Sequence, residues 1–118
     1  MWQARVYLIH VFEEKYIPEE FKKYAKDEKI SPESYFDELC DQILEGPEDR
    51  AKNSGIKNVE RICVHGNPAD EILRAAETNK ADLVIMGSRG LGTFSRAMLG
   101  SVSTKVCHYA PCTVITVK

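Results

Sequence analysis

Four short apolar runs, held apart by stretches with helical periodicity, constrain this chain more than any other feature. They are Arg5–Phe12 (RVYLIHVF), Val59–Val64 (VERICV), Asp82–Met86 (DLVIM) and Cys112–Val117 (CTVITV). The first is aliphatic or aromatic almost throughout, and the last does not alternate cleanly between apolar and polar residues. Such runs suit strands covered on both faces, as in a parallel sheet. Parallel neighbours need long crossovers, and the segments between the runs carry the marks of helices.

Ser31-Pro32 reads as a helix cap followed by proline at the first helical position. Phe36, Leu39, Ile43 and Leu44 then give one apolar stripe. Gly46-Pro47 is expected to break or bend this helix, with a shorter turn running on to a stop at Gly55. Asn67-Pro68 repeats the cap-plus-proline pattern. Asp70 and Glu71 favour the positive helix end, and Ile72, Leu73, Ala75 and Ala76 supply a buried stripe as far as Thr78. Ser101 to Tyr109 reads as a last helix, with Val102, Val106 and Tyr109 on one face and Pro111 as its stop. Glu13 to Ile30 is densely charged with both signs and is expected to hold a short helix from near Pro18, without chemistry of its own.

Strands alternating with helices predict a layered α/β domain with a parallel sheet and helices on both faces. The 118 residues suit a single domain over 1–118. A net charge of −2 gives no general attraction to nucleic acid or anionic membrane, so any anion site must be local. Cys40, Cys63, Cys107 and Cys112 form no C-x-x-C pair, and their apolar neighbours predict free, buried thiols in a reducing compartment. His10, His65 and His108 lack metal-ligand spacing. No secretory signal and no apolar stretch of about 20 residues is visible, so a soluble cytoplasmic protein is expected.

Ligands of doubly wound sheets sit outside the carboxyl ends of the strands. The first such end, at His10-Val11, offers the main chain of Val11 to the edge of a base. The second, at His65-Gly66, has no side chain at Gly66 to fill a pocket. The third, at Gly87, opens the segment that points most directly to chemistry: Gly87-Ser88-Arg89-Gly90, nine residues, then Gly100-Ser101. A strand, a glycine-bearing loop and a helix start leave backbone N–H groups free to meet an anion. Ser101 can cap the helix or donate to a phosphate oxygen. Arg89 and Arg96 can neutralise phosphate charge, Arg89 being the better placed between two glycines. The segment is neither a P-loop, which needs a following Lys, nor G-x-G-x-x-G. No Ser/His/Asp constellation is evident, and no base for hydrolysis stands out.

Gly87-x-x-Gly90, nine residues and Gly100-Ser101 resemble the nucleotide-binding signature of universal stress proteins. DLVIMGSRG and SVSTKVCHYAPCTVITV are similar to that family's penultimate strand, last helix and last strand. RVYLIHVF resembles its second strand, and HGNPADEI its third-strand turn. The resemblance implies a flavodoxin-like three-layer sandwich that binds ATP or AMP, with or without magnesium. Phosphates and ribose would lie at Gly87, Ser88, Arg89, Gly90, Gly100 and Ser101, and adenine near Val11 and Gly66. It also implies a homodimer through antiparallel pairing of Thr113 to Val117. The chain starts at what corresponds to the family's second strand, without the first strand and its aspartate. The remaining four strands are therefore expected to close into one parallel sheet of order 2-1-3-4. A stress-response regulator is the expected role. A dimerising module of the same fold without nucleotide is the alternative, and a slow ATP hydrolase ranks last.

Overall fold

Each apolar run becomes a strand in the computed structural model, which describes residues 4–13, 32–87 and 100–118. In chain order the elements are β1 (Arg5–Phe12), α1 (Pro32–Asn53), β2 (Asn58–His65), α2 (Pro68–Thr78), β3 (Leu83–Gly87), α3 (Ser101–Tyr109) and β4 (Thr113–Val117). The helix expected near Pro18, and Ser31 as a cap, lie outside the described residues. The chain divides into two compact units, Met1–His65 and Gly66–Lys118.

In the first unit β1 and β2 pair in parallel over their full length, from Arg5 opposite Asn58 to Phe12 opposite His65. Alternation places Arg61, Cys63 and His65 on one face of β2, and α1 fastens to all three. Phe36 packs against His65, with ring centroids 4.3 Å apart. Cys40 forms a disulfide with Cys63. Arg61 pairs with Asp41 and, at 2.6 Å, with Glu48. Cys40 and Leu44 are buried beneath the helix.

Two expectations are corrected here. The helix does not stop at Gly46-Pro47 but runs unbroken to Asn53. Proline inside a helix removes one hydrogen bond and crowds the preceding turn, at a cost of roughly 3 kcal/mol. Leu44 before it is buried and Glu48 after it pairs with Arg61 of β2, which offsets that loss. The stop is at Gly55, as expected. Its φ of 95° lets Gly55 N–H reach Lys52 O at 3.0 Å and Ile56 N–H reach Ala51 O at 3.2 Å, a glycine-terminated helix end. The second correction concerns the thiols. Cys40 and Cys63 are bonded, and Cys107 is free and exposed, not buried. Sequence spacing gives no sign of the pair because α1 and β2 bring the two together only after the helix has crossed the strands.

In the second unit β3 and β4 pair in parallel from Leu83 opposite Thr113 to Gly87 opposite Val117. Asn67 caps α2, its side-chain oxygen accepting the Asp70 N–H at 3.1 Å, with Pro68 next in the chain. Lys105 of α3 reaches Asp70 of α2 at 2.6 Å. Val106 is fully buried, and Ala69 and Ala76 are buried with it. Leu83, Ile85, Ile115 and Val117 share the other character: each is exposed.

The architecture is α/β with parallel strands. The described strands pair as two ladders, β1–β2 and β3–β4, each parallel as expected; these pairings fit the α/β fold and do not by themselves give the order 2-1-3-4. Each ladder is closed by its own crossover helix, α1 for the first and α3 for the second. No helix among the described residues is long and apolar enough to cross a membrane.

Candidate functional site

The carboxyl end of β3 is organised by a residue that sequence reasoning did not single out. Ser103, on α3 and only 2% exposed, donates its hydroxyl to the carbonyl oxygen of Gly87 at 2.7 Å. This bond fixes the first turn of α3 beside the last residue of β3. A detectable signal existed: Ser103 stands three residues before Val106, on the buried stripe of its helix. A hydroxyl in such a position needs a nearby acceptor.

The start of α3 differs from the expectation in one respect. Ser101 is the first helical residue, exposed, and the cap position belongs to Gly100, which makes no side-chain capping bond. The first intrahelical bond is from Thr104 N–H to Gly100 O at 2.9 Å, and the Thr104 hydroxyl donates to the same oxygen at 2.9 Å. The N–H groups of Ser101, Val102 and Ser103 therefore have no acceptor within the helix. A side-chain cap would consume one of these donors, and glycine leaves all of them available. The positive end of the helix dipole adds to their pull on an anion.

Gly66 is required by its own turn. Its φ of 144° lies in a region that side chains rarely adopt. A Cβ there would meet Glu71 Oε1 at 3.0 Å and Glu71 Cγ at 3.1 Å. Glu71 is itself paired with Arg74 at 3.0 Å. The N-terminus of α2 is already capped by Asn67, so α2 and α3 are unlike: one start is closed by a side chain and the other is open.

Val11 lies in the first unit, half-buried and opposite Val64 in the β1–β2 ladder. On the neighbouring face the rings of His10, Phe12, Phe36 and His65 cluster at the strand ends. His10 and Phe12 meet edge to face at 4.5 Å, and Phe12 lies 5.2 Å from Phe36. Burial pushes the His10 imidazole below its ordinary titration range. Arg61 and then Lys52, by hydrogen bonding, hold the Glu48 carboxyl below the usual carboxylate range. These groups hold the unit together.

Of the expected set, then, the structure brings Gly87 to the first turn of α3, where Gly100 and Ser101 stand. Gly66 begins the turn into α2, and Val11 belongs to the other unit. Ser88, Arg89, Gly90 and Arg96 lie outside the described residues. A shallow groove along α3, lined by Ser101, Thr104, Lys105, Cys107, His108 and Tyr109, includes only Ser101 of that set. No group of three or more His, Cys, Asp or Glu residues able to hold a metal occurs among the described residues.

Comparison with known proteins agrees with this geometry. The model of the universal stress protein family matches residues 1–118. A universal stress protein from Thermus aquaticus, encoded in the 3′ region of a QAH/OAS sulfhydrylase, is 42% identical over 90 residues. That match covers 73% of this chain and 66% of the relative. The hypothetical protein MJ0577 superposes with a TM-score of 0.78 at 29% identity, over 100% of this chain and 78% of that one. A universal stress protein crystallised with cAMP gives 0.61 at 29% identity, over 98% and 74%. The chain spans about half to two-thirds of the length of the first curated relatives, from 52% to 66%. With parallel strands, alternating helices and a family model matched from end to end, the chain belongs to the universal stress protein family.

Proposed function

We propose that residues 1–118 act as one nucleotide-binding domain that takes an adenine nucleotide, ATP or AMP, at the β3–α3 junction. The observation that carries this reading is the bond from Ser103 to Gly87 O, which sets the free amides of an uncapped helix start against a strand end. Those amides suit phosphate oxygens. Gly87, Gly100 and Ser101 are the described members of the site, and Ser88, Arg89 and Gly90 complete the phosphate loop. Gly66, at the turn into α2, is the described residue of this unit assigned to the adenine. The cAMP complex of a relative 29% identical to this chain supports a nucleotide as the ligand class. No charged side chain of the described site is free to act as a base, which favours a regulator of the stress response over a hydrolase. Magnesium would accompany ATP through its phosphates, and a cytoplasmic setting suits this role.

A second reading rests on a separate observation. Ile115 and Val117 of β4 are 46% and 54% exposed, and an exposed apolar strand invites partners. A homodimer through Thr113–Val117 covers that strand, with or without nucleotide. Titration calorimetry with ATP and magnesium on the wild-type chain and on Gly100→Val distinguishes the two. Binding heat in the first that disappears in the second supports the nucleotide site. No heat at millimolar ligand, with dimers in native mass spectrometry, favours the interaction module.

A further inference from the structure

The seam between α1 and β2 has three rungs of different chemistry. At the carboxyl end of β2, Phe36 packs on His65 with centroids 4.3 Å apart. One helical turn further along α1, Cys40 is bonded to Cys63, two residues before His65 on the same strand face. Beyond it, Arg61 pairs with Asp41 and Glu48. The cysteine rung joins residues 23 apart in sequence with a Cα–Cα distance of 6.3 Å, within the span a disulfide bridges without backbone movement. Cys40 is buried at 7% exposure, and Cys63 is the less buried of the two.

We propose that Cys40–Cys63 is a redox-operated clamp, which fixes the Phe36 end of α1 on β2 when oxidised and releases it when reduced. This inference is independent of the nucleotide reading. Only the middle rung responds to thiols. Breaking it leaves Arg61 paired with Asp41 and Glu48, which hold the helix from Asp41 onward, so release is confined to the turns of α1 up to Cys40. The chemistry is thiol–disulfide exchange with a dithiol. A dithiol thiolate attacks Cys63 Sγ, forming a mixed disulfide and expelling the Cys40 thiolate, which takes up a proton. The second thiolate of the reductant then attacks its own bonded sulfur, closes a cyclic disulfide and expels Cys63, which is protonated in turn. Two electrons and two protons pass to the protein, and the dithiol is oxidised. A disulfide oxidant such as oxidised glutathione reverses the change. Cys107 and Cys112, both free, take no part.

The test uses the full chain carrying Cys107→Ser and Cys112→Ser, equilibrated in graded ratios of reduced to oxidised dithiothreitol. Maleimide trapping after denaturation counts free thiols, and hydrogen exchange of the native protein follows α1. The expected result is one transition from no free thiol to two. Across it, amides of residues 34–40 exchange about tenfold faster in the reduced form while those of 41–53 change less than about twofold. Cys40→Ser in the same background should exchange like the reduced form at every ratio. Two free thiols at all ratios would overturn the proposal. So would equal exchange of 34–40 in both forms, or reduction that proceeds only at the rate of global unfolding, the behaviour of a permanent staple.

Discussion

Replacing Gly66 with alanine tests whether the turn into α2 is dictated by backbone geometry. Two costs can be separated. The φ of 144° is strained for any residue with a Cβ, and holding such a residue there costs roughly 1–3 kcal/mol. The new methyl group also stands 3.0 Å from Glu71 Oε1 and 3.1 Å from Glu71 Cγ, so the Glu71 side chain must swing and loosen its pairing with Arg74. That second cost is small, because an exposed ion pair is worth under about 1 kcal/mol. A total near 2 kcal/mol lowers the folding constant roughly thirtyfold. At about 4 °C per kcal/mol for a chain of this size, the thermal midpoint falls by about 8 °C. Urea titration of wild type, Gly66→Ala, Glu71→Ala and the double variant assigns the loss. Backbone strain predicts that Glu71→Ala restores little in the double variant. A midpoint for Gly66→Ala within about 2 °C of wild type would refute the reasoning, since the turn would then accept a side chain at no cost.

Other outcomes can be checked with the same material. Ser103→Ala leaves the Gly87 carbonyl without its buried donor and should cost about 1–3 kcal/mol in urea unfolding, with a smaller ATP-induced rise in midpoint. Glu48, held by Arg61 below the ordinary carboxylate value of 4.5, contributes stability that is present above that pH and lost as pH falls through its lowered value. Glu48→Gln should therefore flatten the decline of the thermal midpoint in that acid range. His10 has the opposite charge bookkeeping. Its native form resists protonation, so below the ordinary value of 6.5 the unfolded chain gains protons first and the fold weakens. His10→Phe should remove that loss, and an unchanged slope just below pH 6.5 would refute it.

Sequence reasoning read the elements well where local signals act alone. The apolar runs became strands, Asn67-Pro68 opened α2, and Gly55 ended α1 through its positive φ. It failed where distant partners decide. Pro47 argues for a break only until Leu44 is seen to be buried and Glu48 to grip Arg61 of β2. Cys40 and Cys63 look unrelated until α1 lies across β2. The parallel pairing within each ladder, β1–β2 and β3–β4, followed from the apolar runs and their crossover helices. Glycine spacing pointed to the β3–α3 junction, and of the two roles open to Ser101, cap or phosphate donor, the cap position belongs to Gly100. The serine that organises the junction was hidden in an apolar stripe, where sequence pattern sees only a gap.

Ser103 has one consequence that concerns selection by sign of charge. An idle carbonyl at the end of β3 would present lone pairs to any visitor and repel oxyanions. With that oxygen engaged by a buried hydroxyl, the main-chain groups described at the first turn of α3 include N–H donors without a helical acceptor. In the nucleotide-binding reading proposed above, removing that one hydroxyl would free a carbonyl beside those donors and weaken their preference for a negative guest.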